Sequence, residues 1–231
     1  MSRPVRFGVT LPQIKRTWQE AREAALEFDR LGFDSVWVCD HLYGVPMPNL
    51  PIFEAWSELA AVAALTSRVE LGMLVTPVNF RNPAVLAKQV ATIDHVSGGR
   101  TVVGLGSGWF ATEFESYGLP FPPVGDRLRA LDETATVLKR LWTEPSVTFE
   151  GRHVTLRDAM FEPKPVRRPP ILIGGAGEKV LMASSRATPT SGTTTRSTRP
   201  TSRPSATCCG AAATSSGGTS TRSRSRSSAS S

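Results

Sequence analysis

Five short stretches hold the residue types that could do chemistry: Pro12-Gln13, Asp40-His41, Thr76-Pro77, Gly106-Ser107-Gly108-Trp109 and Gly174-Gly175-Ala176-Gly177. Each follows a run of strand-forming residues, so each falls at the carboxyl end of an expected strand. Parallel α/β folds carry their ligands there. His41 is one of only three histidines and stands beside an acid. It could donate to a cofactor carbonyl or act as general acid or base near neutral pH. Equally, it could cap the strand end and pair with Asp40. The Gly174–Gly177 loop leaves a strand and opens a helix, so its N–H groups and the helix dipole suit a phosphate. A tight βα turn has the same composition, and Lys179 lacks the spacing of a P-loop lysine. Gly106, Ser107 and Gly108 leave room for a planar ring before Trp109, and Leu74-Val75-Thr76-Pro77 takes a strand end into a proline turn. Sheet packing accounts for these two equally well. His95 and His153 fall in a helix and a hairpin and read as structural or exposed, and no Cys/His spacing matches a metal site.

The elements that must position these residues alternate between two periods. Strand patterns cover Arg6–Leu11, Ser35–Cys39, Glu70–Val75, Arg100–Gly106 and Ile171–Ile173. Between them, apolar residues recur at helical spacing in Trp18–Leu31, Phe53–Leu65, the segment from Asn82-Pro83 toward Val96, and Asp126–Trp142. Gly32 suits a helix C-cap, and Asn82-Pro83 an N-cap followed by proline at the first helical position. Val147–Thr155 reads as a small hairpin turning at Glu150-Gly151. Repeated βαβ units predict a parallel sheet, either doubly wound or a (β/α)8 barrel.

The chain carries 27 Lys and Arg against 20 Asp and Glu, a formal charge of +7. Seven of those cations are arginines within Ala183–Ser231, a stretch without a single acid. The remaining 20 balance the 20 carboxylates, so the first 182 residues offer no electrostatic case for nucleic acid. There is no signal-peptide pattern and no apolar run long enough for a membrane span, so a cytoplasmic location is expected. Residues 183–231 use only Ala, Ser, Thr, Arg, Pro, Gly and Cys, whose codons all have G or C in second place. A GC-rich gene read out of frame produces that composition. Shifting the frame allows Ala183–Thr193 to encode GVVARYADEWN and Ala213–Ser231 to encode DELGRDLDEIEVSVQRLV. The expected organisation is thus a partial barrel domain, 1–182, followed by a low-complexity tail, 183–231. A genuine disordered Arg/Ser tail that contacts nucleic acid or protein, on a non-catalytic remnant, is the alternative.

FGVTLPQ, GFDSVWVCDH, TSRVELGMLVTPVNFRNPAVLAKQVATIDHVSGGRTVVGLGSGW and PKPVRRPPILIGGAGEKV occur in this order from about Val5 to Leu181. Together they resemble the bacterial luciferase-like monooxygenase family, in its branch of coenzyme F420-dependent oxidoreductases. The resemblance implies a (β/α)8 TIM barrel, truncated here after about five strands, with F420, or alternatively FMN, at the carboxyl-end rim. It implies hydride transfer between the cofactor and a small organic substrate, and dimerisation through barrel helices in a full-length protein. By similarity, Asp40 and His41 would sit beside the ring, with His41 as acid/base or positioning group. Leu74-Val75 would hold a non-prolyl cis peptide at the ring's back face, accompanied by Thr76. Gly106, Ser107, Gly108 and Trp109 would line the pocket, and Gly174, Gly175, Ala176 and Gly177 would hold the phosphate. Some sugar-phosphate dehydrogenases of the family have a glutamate where this chain has Trp109 and an asparagine where it has Thr112. A five-strand fragment would leave unpaired edges, so this chain is expected to be poorly stable and inactive as it stands.

Overall fold

The alternating pattern builds β1 (Gly8–Thr10), α1 (Trp18–Leu31), β2 (Ser35–Val38), α2 (Ala55–Leu65), β3 (Glu70–Met73), β4 (Thr76–Pro77), α3 (Pro83–Ser97), β5 (Thr101–Gly106), α4 (Ala111–Ser116), α5 (Val124–Leu141), β6 (Ser146–Glu150), β7 (Thr155–Met160) and β8 (Ile171–Ile173) in a computed structural model. The structure describes residues 5–45 and 47–175. The tail from Ala183, along with Ala176 and Gly177, lies outside them. Strands β1, β2, β3 and β5 pair in that order, all parallel, and β8 pairs parallel on the far side of β5. β6 and β7 form a separate antiparallel pair, longer than the hairpin read from the sequence.

The ends of the helices follow their sequences. Thr17 and Glu20 form a reciprocal capping box at the start of α1, and Gly32 closes it in the left-handed conformation. Asn82 accepts from the Ala84 and Val85 amides, with Pro83 next to it. The expected Phe53–Leu65 helix starts two residues later, because Glu54 turns its carboxylate onto the Trp56 and Ser57 amides as N-cap. α4 has no apolar period of its own and was not expected.

One face of the sheet carries the core. Val36, Val38, Leu71, Met73, Val103 and Leu105 are buried against Ala25, Leu59, Val62, Leu86, Val90, Leu138 and their helical neighbours. On the opposite face, the Trp37 ring lies across Gly8 and Gly72: a Cβ at Gly72 would meet it at 2.2 Å. Its indole N–H donates to Ser35 Oγ at 2.8 Å.

The expected strand Glu70–Val75 is broken. β3 pairs Leu71 with Thr101 and Gly72 with Val102, but β4 pairs Thr76 with Leu105 and Pro77 with Gly106. One extra residue therefore enters between Met73 and Thr76, as in a bulge, and every later side chain changes face. Thr76, not Val75, points at the helices and accepts from the Trp56 indole of α2 at 3.0 Å. Val75 turns to the other face, where Gly104, Gly106 and Gly174 leave space: an added Cβ on each would approach its methyls at 3.0, 2.5 and 2.7 Å. Leu74–Val75 is a non-prolyl cis peptide.

At Gly104 an added Cβ would also stand 1.8 Å from the Met73 carbonyl oxygen, a collision with backbone that no rotamer relieves. Gly104→Ala is expected to cost about 3 kcal/mol or more by urea unfolding. Gly125→Ala, in the first turn of α5 with its nearest neighbour at 3.7 Å, is expected to be neutral or to stabilise by about 0.5–1 kcal/mol.

Candidate functional site

Strand ends bring several of the candidate residues together at one end of the sheet. β2 ends beside Cys39, Asp40 and His41, and the Leu74 amide donates to Val38 O at 2.7 Å, tying the two strand ends together. Asp40 is buried, and Arg81, on the segment between β4 and α3, grips it with both terminal nitrogens, at 2.5 and 3.0 Å. Arg81 also pairs with Glu54, the cap of α2. Burial pushes the Asp40 carboxyl up from the ordinary aspartate range, against the pull of the Arg81 guanidinium and the Thr76 hydroxyl. The cluster joins the end of β2, the start of α2 and the approach to α3.

His41 does not pair with Asp40, the pairing that one reading of the sequence offered. Its Nδ1 lies 3.0 Å from Oε2 of Glu113, a fully buried carboxylate on α4 whose other oxygen accepts from the Leu42 amide at 2.5 Å. A carboxylate only accepts, so it selects the tautomer with the proton on Nδ1 and leaves Nε2 as an acceptor. Nε2 has no partner among the described residues. The Trp109 ring stands edge-on to His41, with centroids 6.3 Å apart and planes at 87°, and packs on Phe110 at 5.2 Å. Tyr43 continues the aromatic row to Tyr117, whose hydroxyl donates to the Leu42 carbonyl.

The loop after β5 is held from outside. Arg127 donates to Ser107 O at 3.1 Å and Pro122 O at 2.6 Å, with its guanidinium stacked on Phe121. Gly108 adopts φ 76°, and an added Cβ would meet the Phe114 ring at 2.9 Å. Leu74 and Val75 remain partly exposed, whereas Thr76 is wholly buried and its hydroxyl is occupied by Trp56. The Gly174 amide donates to Leu105 O at 2.8 Å and continues the β5–β8 ladder, so it is not available to an anion. Gly175 is exposed; the rest of the proposed phosphate loop, Ala176 and Gly177, is outside the described residues.

The sequence reading missed Arg81, Glu54, Glu113 and Glu58, and gave Gln13 no role. Gln13 acts as a spare peptide group: Oε1 accepts from the Cys39 amide at 2.6 Å while Nε2 donates to the Cys39 carbonyl at 3.1 Å. The same Nε2 donates to Oε2 of Glu58 at 3.1 Å, and Oε1 of Glu58 is buried without a hydrogen-bond partner. A lone carboxylate inside the apolar run AWSELAAVAAL was the signal to look for. Among the described residues no cluster of three or more His, Cys, Asp or Glu side chains is arranged for a metal ion. No described helix is long and apolar enough to cross a membrane.

Residues 2–189 match the family model described as luciferase-like monooxygenase. The chain belongs to the luciferase-like monooxygenase family. It is 36% identical over 190 residues to an F420-dependent glucose-6-phosphate dehydrogenase of Kineococcus radiotolerans, covering 80% of this chain and 55% of the relative. Among solved structures it resembles an F420-dependent secondary alcohol dehydrogenase in complex with an F420-acetone adduct, with 30% identity and a TM-score of 0.70 over 76% of this chain and 53% of that one. A coenzyme F420-dependent tetrahydromethanopterin reductase from Methanopyrus kandleri superposes with a TM-score of 0.67 at 25% identity, over 78% of this chain and 53% of that one. The chain thus spans about half the length of the relatives it matches. The family fold accounts for the parallel β/α order described above.

Burial raises the Glu58 carboxyl to about 7 from an ordinary value of 4.5. The folded chain keeps this group neutral while the unfolded chain ionises it, so stability is full below about pH 4.5 and falls as pH rises to about 7. That loss is on the order of 3 kcal/mol. Glu58→Gln removes it: urea unfolding at pH 5 and pH 8 is expected to show the variant gaining by that amount on wild type between the two values.

Proposed function

We propose that this end of the sheet binds the deazaflavin ring of coenzyme F420, and that the chain is the ring-binding part of a hydride-transferring oxidoreductase. The observation that carries this reading is the His41–Glu113 pair: a buried carboxylate holds Nδ1 of the imidazole, and Nε2 has no partner among the described residues. Such an arrangement suits a group that exchanges a proton with a substrate oxygen. The residues fit a ring. Val75 fills the space that Gly104, Gly106 and Gly174 leave, so that it and partly exposed Leu74 would give the ring an apolar support. The names of the relatives favour F420 over FMN.

When bound, the cofactor would supply a two-electron, hydride-level couple. The protein's part is positional and protonic. Glu113 holds the imidazole so that Nε2 accepts the proton of a substrate hydroxyl, or returns one to a carbonyl oxygen. Arg81 keeps Asp40, and with it the turn that carries His41, from shifting. Gln13 fixes the Cys39 peptide one residue earlier. Because the matched segment covers only about half of each relative, we propose that turnover requires the remainder of a barrel and that the 231-residue chain alone is inactive.

Titrating the chain into F420 is expected to give a saturable rise in fluorescence anisotropy, with a smaller response to FMN's own fluorescence. Leu74→Glu is expected to weaken F420 binding by about tenfold or more by placing a charge against the ring. In a chain completed with a relative's C-terminal half, His41→Ala is expected to lower kcat by roughly a hundred- to ten-thousandfold. Glu113→Gln is expected to spoil the His41 tautomer preference, read from its imidazole 15N shifts. No saturable response to either cofactor would falsify the reading.

A further inference from the structure

Trp109 is the largest exposed side chain beside His41, at 61% of its full exposure. It is not loose. Its ring packs on Phe110, which is packed edge-on by Tyr43, and stands perpendicular to the His41 ring. An indole fixed in this way and left open to solvent offers apolar surface next to the His41 imidazole, whose Nε2 has no partner among the described residues. Apolar and aromatic surface is released from water when a ligand covers such a face, and aromatic contacts add specific geometry.

The charges at the same place oppose a phosphorylated ligand. Glu113 stands behind His41 as a buried acid, 3.0 Å from its Nδ1. The two guanidiniums that adjoin the Asp40 and Ser107 sides are already committed. Arg81 is held by Asp40 and Glu54, and Arg127 by two backbone carbonyls and the Phe121 ring. Among the described residues, a phosphate dianion brought to Trp109 would find Arg81 and Arg127 engaged and a carboxylate behind the imidazole, at a cost of desolvation.

We infer that Trp109 is a specificity-determining residue: it seats an uncharged, apolar-bodied alcohol or ketone against its indole, with the single oxygen at Nε2 of His41, and it disfavours sugar phosphates. This rests on the cofactor reading above, and sets the chain apart from the glucose-6-phosphate dehydrogenases it is similar to.

The test uses the full 231-residue chain labelled with 5-fluorotryptophan, the Trp109 signal being assigned from Trp109→Phe. Cyclohexanone and glucose 6-phosphate are the probes, with 19F NMR as the readout and F420 anisotropy as a separate arm. Cyclohexanone is expected to shift the Trp109 resonance saturably, while glucose 6-phosphate leaves it in place. Trp109→Glu is expected to weaken cyclohexanone binding by about tenfold or more, and Trp109→Phe by no more than about threefold, both followed by ligand-observed NMR. A Trp109 resonance unmoved by cyclohexanone, or moved further by glucose 6-phosphate, overturns the inference. F420 binding with either of those results leaves the cofactor reading intact; a cyclohexanone shift without F420 binding supports the subsite and sinks the cofactor reading.

Discussion

One additional residue between β3 and β4 decides how this site can exist. In a strand, the side of the sheet that a residue faces is set by parity alone. Without the slip, Val75 would share the helix-facing row with Leu71 and Met73, and Thr76 would face the other way. With it, Thr76 locks to Trp56 of α2 and Val75 crosses to the glycine-cleared side of β5 and β8. The sheet remains continuous through β5, because β3 and β4 pair with the same strand in two registers. The glycines at 104, 106 and 174 are thus a consequence of the slip: they stand where Val75 arrives.

Around that break, charge is used in pairs and kept from water. Asp40 with Arg81, and Glu113 with the His41 imidazole and the Leu42 amide, each satisfy a carboxylate that burial would otherwise penalise by several kcal/mol. Glu58 is the exception. It has one neutral amide for company and an oxygen with no partner, so the proton itself supplies the neutralisation. The three carboxylates therefore reach the same end, absence of an uncompensated buried charge, by an ion pair, by a hydrogen-bonded imidazole and by protonation.

The sheet was largely legible because its signals are local. Strand runs of three to seven residues, Gly32, and Asn82-Pro83 each depend on neighbours in sequence. β3 was read too long because Leu74 and Val75 are good strand residues, and the register slip is a property of pairing with β5, over 25 residues away in the chain. The site was legible only where it coincides with strand ends. Asp40, His41 and Trp109 satisfied that rule. Arg81 and Glu113 act across 41 and 72 residues, and no period or spacing in the chain announces such partners. α4, which carries Glu113, is a helix of six residues made by its surroundings. The choice between Asp40 and another partner for His41 was beyond sequence for the same reason.

The indole of Trp37 sets a floor under all of this. It lies over Gly8 and Gly72, one turn of the pleat below the Gln13 amide and the Cys39 peptide. On this face of the sheet, side chains added at Gly8 or Gly72 would run into that ring. On the proposed function, selectivity would be remodelled in the connecting loops while the strand layer stays closed.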